Sequence, residues 1–444
     1  MKVARITKAV AVFAVAGLVV TACSSSLDET SSQSPAPAPA SASAAETSAD
    51  TTATDTLKIG FVSPQTGPLA GFGEADQYVI DAMTEYFAAN PIVAGGTTYS
   101  VEIMTKDAQS DSKRAGEVAA ELINTDGVDL ILAEGTPDIV NPVADQCEAN
   151  ATPCITTVAP WQPYFIGRGG VPGESSFDWT YHFFWGLEDV AGTYASMWNQ
   201  VDTNKKVAGL FPNDPDGEAW GANFPGLTGG DGYKINDPGL YPNGTQDFSS
   251  QISAFKSDGD EILTGVPIPP DFTTFWQQAK QQGFDPKIAT IGKALLFPSA
   301  IEALGEIGNN LGTEVWWTPT YPFTSSLTGQ SAAELAAAYE TSTSRQWTQP
   351  LGFAEALFEV AAAAVVAAGS KEKMAVADAL KTLKVSTIVG DLDWTTGPVP
   401  NVAKTPIAGG QWRASTGAYP FDLIIVDNSL YPNIPTGGKV EALK

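Results

Sequence analysis

The sequence predicts an exported α/β chain whose body forms two lobes, each a parallel sheet flanked by helices. Three observations predict it. From Leu57 onward, apolar strand-like runs alternate with stretches of helical periodicity, the order that builds a parallel sheet. The body holds nearly 400 residues, more than one hydrophobic core usually organises. Ahead of it stands an export signal: Lys2, Arg5 and Lys8 are followed by the apolar run from Ala9 to Val20, which is too short for a membrane-spanning helix of about 20 residues.

Residues Val20-Thr21-Ala22-Cys23 resemble the lipobox of bacterial lipoproteins, in which small residues precede a cysteine that is lipidated and becomes the new N-terminus. The resemblance makes 1–22 a signal peptide and Cys23 a membrane anchor. Residues 23–56 are Ser, Ala, Thr and Pro with hardly a bulky side chain, so they are expected to be a disordered tether.

Leu57–Val62 reads as a first buried strand, followed by a turn-rich loop through Gly73. Tyr78, Ile80, Met83, Tyr86 and Phe87 give Asp76–Asn90 a helical period. Gly95-Gly96 breaks the chain before a strand over Ser100–Thr105, and Lys113–Asn124 is an amphipathic helix. Leu130–Ala133, a helix over Ile139–Ala149 and the strand Cys154–Thr157 then make a right-handed crossover unit. Ligands of open parallel sheets settle beyond the carboxyl ends of the strands, so Glu134–Thr136 and Val158–Trp161 are expected to form neighbouring lips of one cleft.

The formal net charge of −26 argues against nucleic-acid or anionic-membrane binding, which call for basic patches. Of the three cysteines, Cys147 and Cys154 remain after Cys23. Two nearby thiols outside the cytoplasm usually oxidise, so a disulfide is expected, with modest entropic effect because its loop is short. The spacing is not the Cys-x-x-Cys of a redox centre.

Thr66-Gly67-Pro68-Leu69-Ala70-Gly71-Phe72-Gly73 after the first strand resembles the start of the type I periplasmic binding proteins of the branched-chain amino acid transport group. So do the Lys106–Asp111 turn, Asp126-Gly127-Val128, and Gly409-Gly410-Gln411-Trp412 near the end. In order and spacing, the resemblance covers the whole body. It implies a two-lobed partner of an ABC transporter permease that captures a small-molecule ligand by hinge closure and is attached to the membrane only through its lipid. A monomer is expected, without cofactor, metal or nucleic acid. The resemblance implies three crossings between lobes, with 57–185 and 317–390 in the first lobe and 186–316 and 391–444 in the second.

In the amino-acid binders of that family one lobe holds the ligand's α-carboxylate on the two lips. The resemblance carries this to Gly135, Thr136, Thr157, Val158 and Ala159, while a family threonine falls at Pro160, which has neither a hydroxyl nor an N–H. Phe72 falls where an aromatic packs on the ligand. On the second lobe the family aromatic falls at Asp216 or Trp220, of which we take Trp220. Where the family places an acid for the α-ammonium, this chain has Lys293-Ala294. A cation there suits a carboxylate, if Lys293 faces inward. Trp161, Trp185 and Trp317 stand at the lips and crossings and are expected to flank the ligand, stacking on an apolar or aromatic carboxylate or boxing a quaternary amine. An enzyme is not expected. The single histidine, His182, lies in an aromatic strand, and neither a phosphate-binding glycine loop nor a Cys/His cluster is present in the sequence. A sensory module that reports ligand without uptake is the alternative.

Overall fold

In the computed structural model, which describes residues 53–444, two seven-stranded sheets stand as the cores of two lobes. In spatial order the first contains Val402–Ala403, Thr180–Phe183, Cys154–Thr157, Leu130–Glu134, Ala53–Ser63, Thr97–Asp107 and Ile92–Ala94. The second contains Phe421–Asp427, Ala408–Ala414, Gly312–Val315, Ile288–Ile291, Ile262–Gly265, Lys206–Leu210 and Lys234–Asn236. The central strands run parallel, and antiparallel pairing is confined to Ile92–Ala94 in the first sheet and the last two strands of the second. Helices cover both sheets, so the central strands are apolar on both faces: every residue of Leu130–Glu134, Cys154–Thr157 and Ile288–Ile291 is buried.

The first strand begins at Ala53, earlier than composition suggested, because residues 53–56 pair with Thr97–Ser100. Cys23 and most of the expected tether lie outside the described residues. Helix Pro350–Ala368 is long and apolar enough to cross a membrane, but it is a core helix. Its fifteen buried residues include Glu355 and Glu359, and Phe358 stacks on Phe61 with centroids 5.8 Å apart.

The chain passes between sheets beyond Phe183, beyond Val315 and after Ala403. The last passage differs from the expected boundary at 390–391. Residues Lys384–Thr387 and Gly390–Asp393 form a separate hairpin, and Val402–Ala403 still pairs with His182–Phe183 of the first sheet. The crossing therefore lies at 404–407. Lys404 there ties the first and third passages together, with Nζ 2.9 Å from Glu188 and 2.6 Å from Asp189.

Cys147 and Cys154 are free, fully buried thiols, in place of the expected disulfide. They sit side by side between helix Pro137–Ala149 and the sheet, where thiols pack as small apolar groups and burial pushes the Cys147 thiol up. His182 is also structural. Its Nδ1 meets Thr156 Oγ1 at 2.8 Å, its Nε2 meets the Ala159 carbonyl at 2.7 Å, and burial holds its pKa down to about 3.

Candidate functional site

The carboxyl ends of strands from both sheets converge on one cavity. The first sheet sends Phe72 after its first strand, Thr136 after Leu130–Glu134, Val158 and Pro160 after Cys154–Thr157, and Phe184 and Trp185 after Thr180–Phe183. The second sends Asp216 and Trp220 from helix Pro215–Gly229, Val266, Lys293 and Leu296 beyond strand ends, and Glu314 and Trp316 at the end of Gly312–Val315. The empty space among them is about 320 Å³. Only about 20 Å³ of it admits the centre of a water molecule, so the cleft stands nearly closed.

The lobes touch across the rim. Phe72 meets Phe297 of the second lobe edge-on, with centroids 4.9 Å apart. A Cβ on Gly71 would come 2.8 Å from the Phe297 ring, so only glycine allows this approach. On the floor, a Cβ on Gly292 would lie 2.9 Å from Trp220 and 3.2 Å from Glu314 Oε1. Glycine there lets the indole and the carboxylate meet at the cavity. Two lining residues carry backbone strain, one from each lobe: Val158 at φ 73° and Lys293 at φ 55°. Left-handed conformations in residues with side chains cost about 1–3 kcal/mol and collect at ligand sites.

Lys293 faces inward, but its charge is already taken. Its Nζ lies 2.9 Å from Asp214 Oδ2 and 2.9 Å from Asp216 Oδ2, with all three side chains buried. Asp214 also caps helix Pro215–Gly229 through a 2.8 Å bond from the Gly217 N–H and accepts from Asn243 at 3.1 Å. Burial works against each ion. For Asp214 the ammonium and the Gly217 N–H outweigh it and hold the carboxyl below its usual value. For Asp216 burial wins and the carboxyl is raised. Lys293 is held above the usual lysine range because three carboxylates, Asp214, Asp216 and Asp138, overcome its burial. Asp138, in the first turn of the helix after Thr136, is pushed up to about 6, mainly by burial.

Glu314 is the second acid at the cavity. Burial pushes its pKa up to about 7, against hydrogen bonds from the Tyr194 hydroxyl and from Thr313 Oγ1 at 3.3 Å. Several buried polar atoms here have no partner among the described residues: Thr136 Oγ1, Asp216 Oδ1, and the indole N–H groups of Trp185, Trp220 and Trp316.

Of the residues expected at the site, Phe72, Thr136, Val158, Trp185, Trp220 and Lys293 line this cavity. The others stand elsewhere. Gly135 has φ 130° and packs its α-carbon near Pro64 and Ile139. Thr157 turns its hydroxyl to the Phe183 carbonyl at 2.6 Å, and the Ala159 carbonyl serves His182. Trp161 joins the crossing network, its Nε1 donating to Glu188 at 3.2 Å. Trp317 packs on Trp347 with centroids 6.0 Å apart, and its neighbour Trp316 lines the cavity in its stead. Successive side chains of extended backbone point to opposite sides, so a one-residue error in register exchanges the two tryptophans. Phe184, Glu314 and Trp316 were missed as site residues, although all three lie at strand ends where the crevice rule applies.

A family model for periplasmic binding proteins matches residues 56–417. Among curated proteins, a leucine-, isoleucine-, valine-, threonine- and alanine-binding protein of Pseudomonas aeruginosa is 25% identical over 241 residues. The match spans 52% of this chain and 59% of that relative's length. Among solved structures, a leucine-binding protein from Thermotoga maritima superposes with a TM-score of 0.70 at 19% identity, covering 84% of this chain and 99% of that one. A branched-chain amino acid transporter substrate-binding protein from Streptococcus pneumoniae, in complex with isoleucine, gives 0.66 at 16% identity, covering 84% and 100%. A solute-binding protein of an ABC transporter from Rhodopseudomonas palustris, in complex with 3,4-dihydroxybenzoic acid, gives 0.66 at 16% identity, covering 84% and 98%.

Proposed function

The chain belongs to the periplasmic binding protein family, and from that premise we propose that it is an extracytoplasmic, lipid-anchored solute-binding protein of an ABC importer, capturing a small organic solute between its lobes. The observation that carries this is the nearly closed cleft lined by strand ends of both sheets and shut at the rim by Phe72 and Phe297. A site shared between lobes that are joined by crossing segments is one that hinge motion opens and closes. The structural relatives hold isoleucine in one case and a dihydroxybenzoate in another. Kinship therefore leaves the solute open within small organic ions. Anchoring through Cys23 rests on the lipobox-like run, and Cys23→Ser should release the protein from the membrane fraction.

The test is a thermal-shift screen of the purified chain against amino acids, aromatic and aliphatic carboxylates, and amines. A solute at 100 times its Kd adds about 2.7 kcal/mol of stability. A solute that raises the melting temperature, and whose uptake is lost when the gene is deleted, supports the proposal. Binding with unchanged uptake would move the protein to the sensory alternative. No shift with any solute would overturn the reading.

A further inference from the structure

We propose, on the basis of the solute-binding reading and resting on it, that the cavity takes a small organic cation, an alkyl- or arylalkyl-ammonium without a carboxylate, held between Asp216, Glu314 and the aromatic walls. Charge carries the argument. Among the described residues, Lys293 is the only cationic side chain lining the cavity, and both Asp214 and Asp216 contact its ammonium at 2.9 Å. Two carboxylates around one ammonium leave the cluster with an excess of negative charge. Glu314 adds a second acid to the cavity lining.

Asp216 also has unfilled hydrogen-bonding capacity. Asp216 Oδ2 faces Lys293, while its Oδ1 is buried with no donor among the described residues. Glu314 uses Oε2 for Tyr194 and Thr313, while Oε1 lies beside Gly292 and Trp220 at the floor. An ammonium N–H supplies the donor that Asp216 lacks. Five aromatic side chains, Phe72, Phe184, Trp185, Trp220 and Trp316, enclose the space, each 2% exposed or less. Aromatic rings attract cations through their quadrupole, and more strongly once water is excluded.

The side chains that line the cavity from the opposite lobe carry no charge. Pro160 has no N–H, and Thr157 spends its hydroxyl on the Phe183 carbonyl. Thr136 Oγ1 and the indole N–H groups of Trp185, Trp220 and Trp316 remain as uncharged donors. They suit a hydroxyl or carbonyl oxygen and bring no positive charge to offset a carboxylate. A separate groove that shares Asp214 with the cluster is bordered by Asp111, Asp138 and Glu218, so the surface beside the cluster is acidic as well. Fields focused in this way raise the local concentration of cations.

Matched skeletons test the charge. We would titrate the full chain in detergent, near pH 8, with 3-methylbutylammonium, leucine and 4-methylpentanoate, then with 2-phenylethylammonium, phenylalanine and 3-phenylpropanoate. Within each set only the ionic groups differ. We expect the ammonium to bind at least about tenfold more tightly than its amino acid, with the plain acid weakest. Glu314→Gln should weaken the ammonium about tenfold. Asp216→Asn should do the same, and if that variant fails to fold, Glu314→Gln carries the test. An amino acid or plain acid that binds more tightly than its matched amine would overturn the cation assignment and leave the solute-binding reading standing. Binding of none of the six would also overturn the assignment, and the wider solute screen then decides the fate of the solute-binding reading separately.

Discussion

Replacing Lys293 with methionine isolates the charge at the centre of the site. Methionine keeps the length of the apolar stem, and as an L-residue it bears the same strain at φ 55° that lysine bears, so the backbone term is held constant. What changes is that Asp214 and Asp216 lose the ammonium that each contacts at 2.9 Å. Removing one side of a buried ion cluster costs about 3–5 kcal/mol, because the remaining charge is left uncompensated. For roughly 390 folded residues, an unfolding entropy of about 2.1 cal/mol/K per residue makes this a fall in Tm of about 4–6 °C. The pH dependence has a definite sign. In the wild-type chain the folded Lys293 value is raised, so its contribution is complete below the ordinary lysine value and is lost only in strong alkali. In the variant the two aspartates take the burden. Their folded values rise above the unfolded value near 3.9, so the penalty is absent in acid and grows as pH climbs. Calorimetric melts near pH 8 and pH 5 should therefore show a larger deficit at pH 8. Adding Asp216→Asn to the variant should recover part of it. A Tm within about 1 °C of wild type at pH 8, or a deficit that widens toward pH 5, would refute the ion cluster as the organising feature of this lobe's rim.

Other perturbations read other parts of the site. Glu314 has a folded value of about 7 against the usual 4.5, so its neutral form stabilises the fold fully below the unfolded value and that support is lost as pH rises through 7. Relative to Glu314→Gln, the wild-type chain should lose about 3 kcal/mol between pH 4.5 and pH 8 by urea midpoints, at 1.36 kcal/mol per unit; a pH-independent difference would count against it. Thr157→Ala removes a buried 2.6 Å hydrogen bond and should cost about 1 kcal/mol while moving ligand affinity by less than about twofold; a tenfold loss of affinity would put Thr157 back among the ligand contacts. In a Cys23→Ser chain, a thiol reagent should find about none of Cys147 and Cys154 in the folded protein and both after unfolding. Silence in both states would restore the disulfide.

Much of the architecture was legible because it follows from pattern. Continuous apolar runs such as Leu130–Glu134 and Ile288–Ile291, spaced by helical periods, specify parallel strands buried on both faces. The strand-end rule then locates the crevice. Edges were less legible. Strand Ile92–Ala94, only three residues long, depends on antiparallel pairing with Thr97–Tyr99 rather than on its own pattern, and the pairing of Val402–Ala403 with His182–Phe183, which moves the third crossing to 404–407, is a long-range contact. The disulfide expectation took sequence proximity for geometry. Within the candidate site, side-chain direction was not legible: Thr157 and Trp317 each sit one residue from a cavity-lining residue and turn elsewhere.

The reading of Lys293 shows why charge at a site has to be counted in three dimensions. Taken along the chain, a lysine where relatives place an acid suggests a reversed ligand, a carboxylate in place of an ammonium. The fold brings Asp214 and Asp216 from a helix 77 or more residues earlier onto the same ammonium, and Glu314 from the next strand onto the same cavity. Each of these acids is unremarkable in a chain with 50 of them. Together they turn the lone cation into an internal counter-ion, so the lysine holds two acids in place instead of meeting the ligand's charge. Substituting a charged residue within such a cluster changes the site's net charge only as far as its neighbours leave that charge unpaired, and here the unpaired remainder is negative.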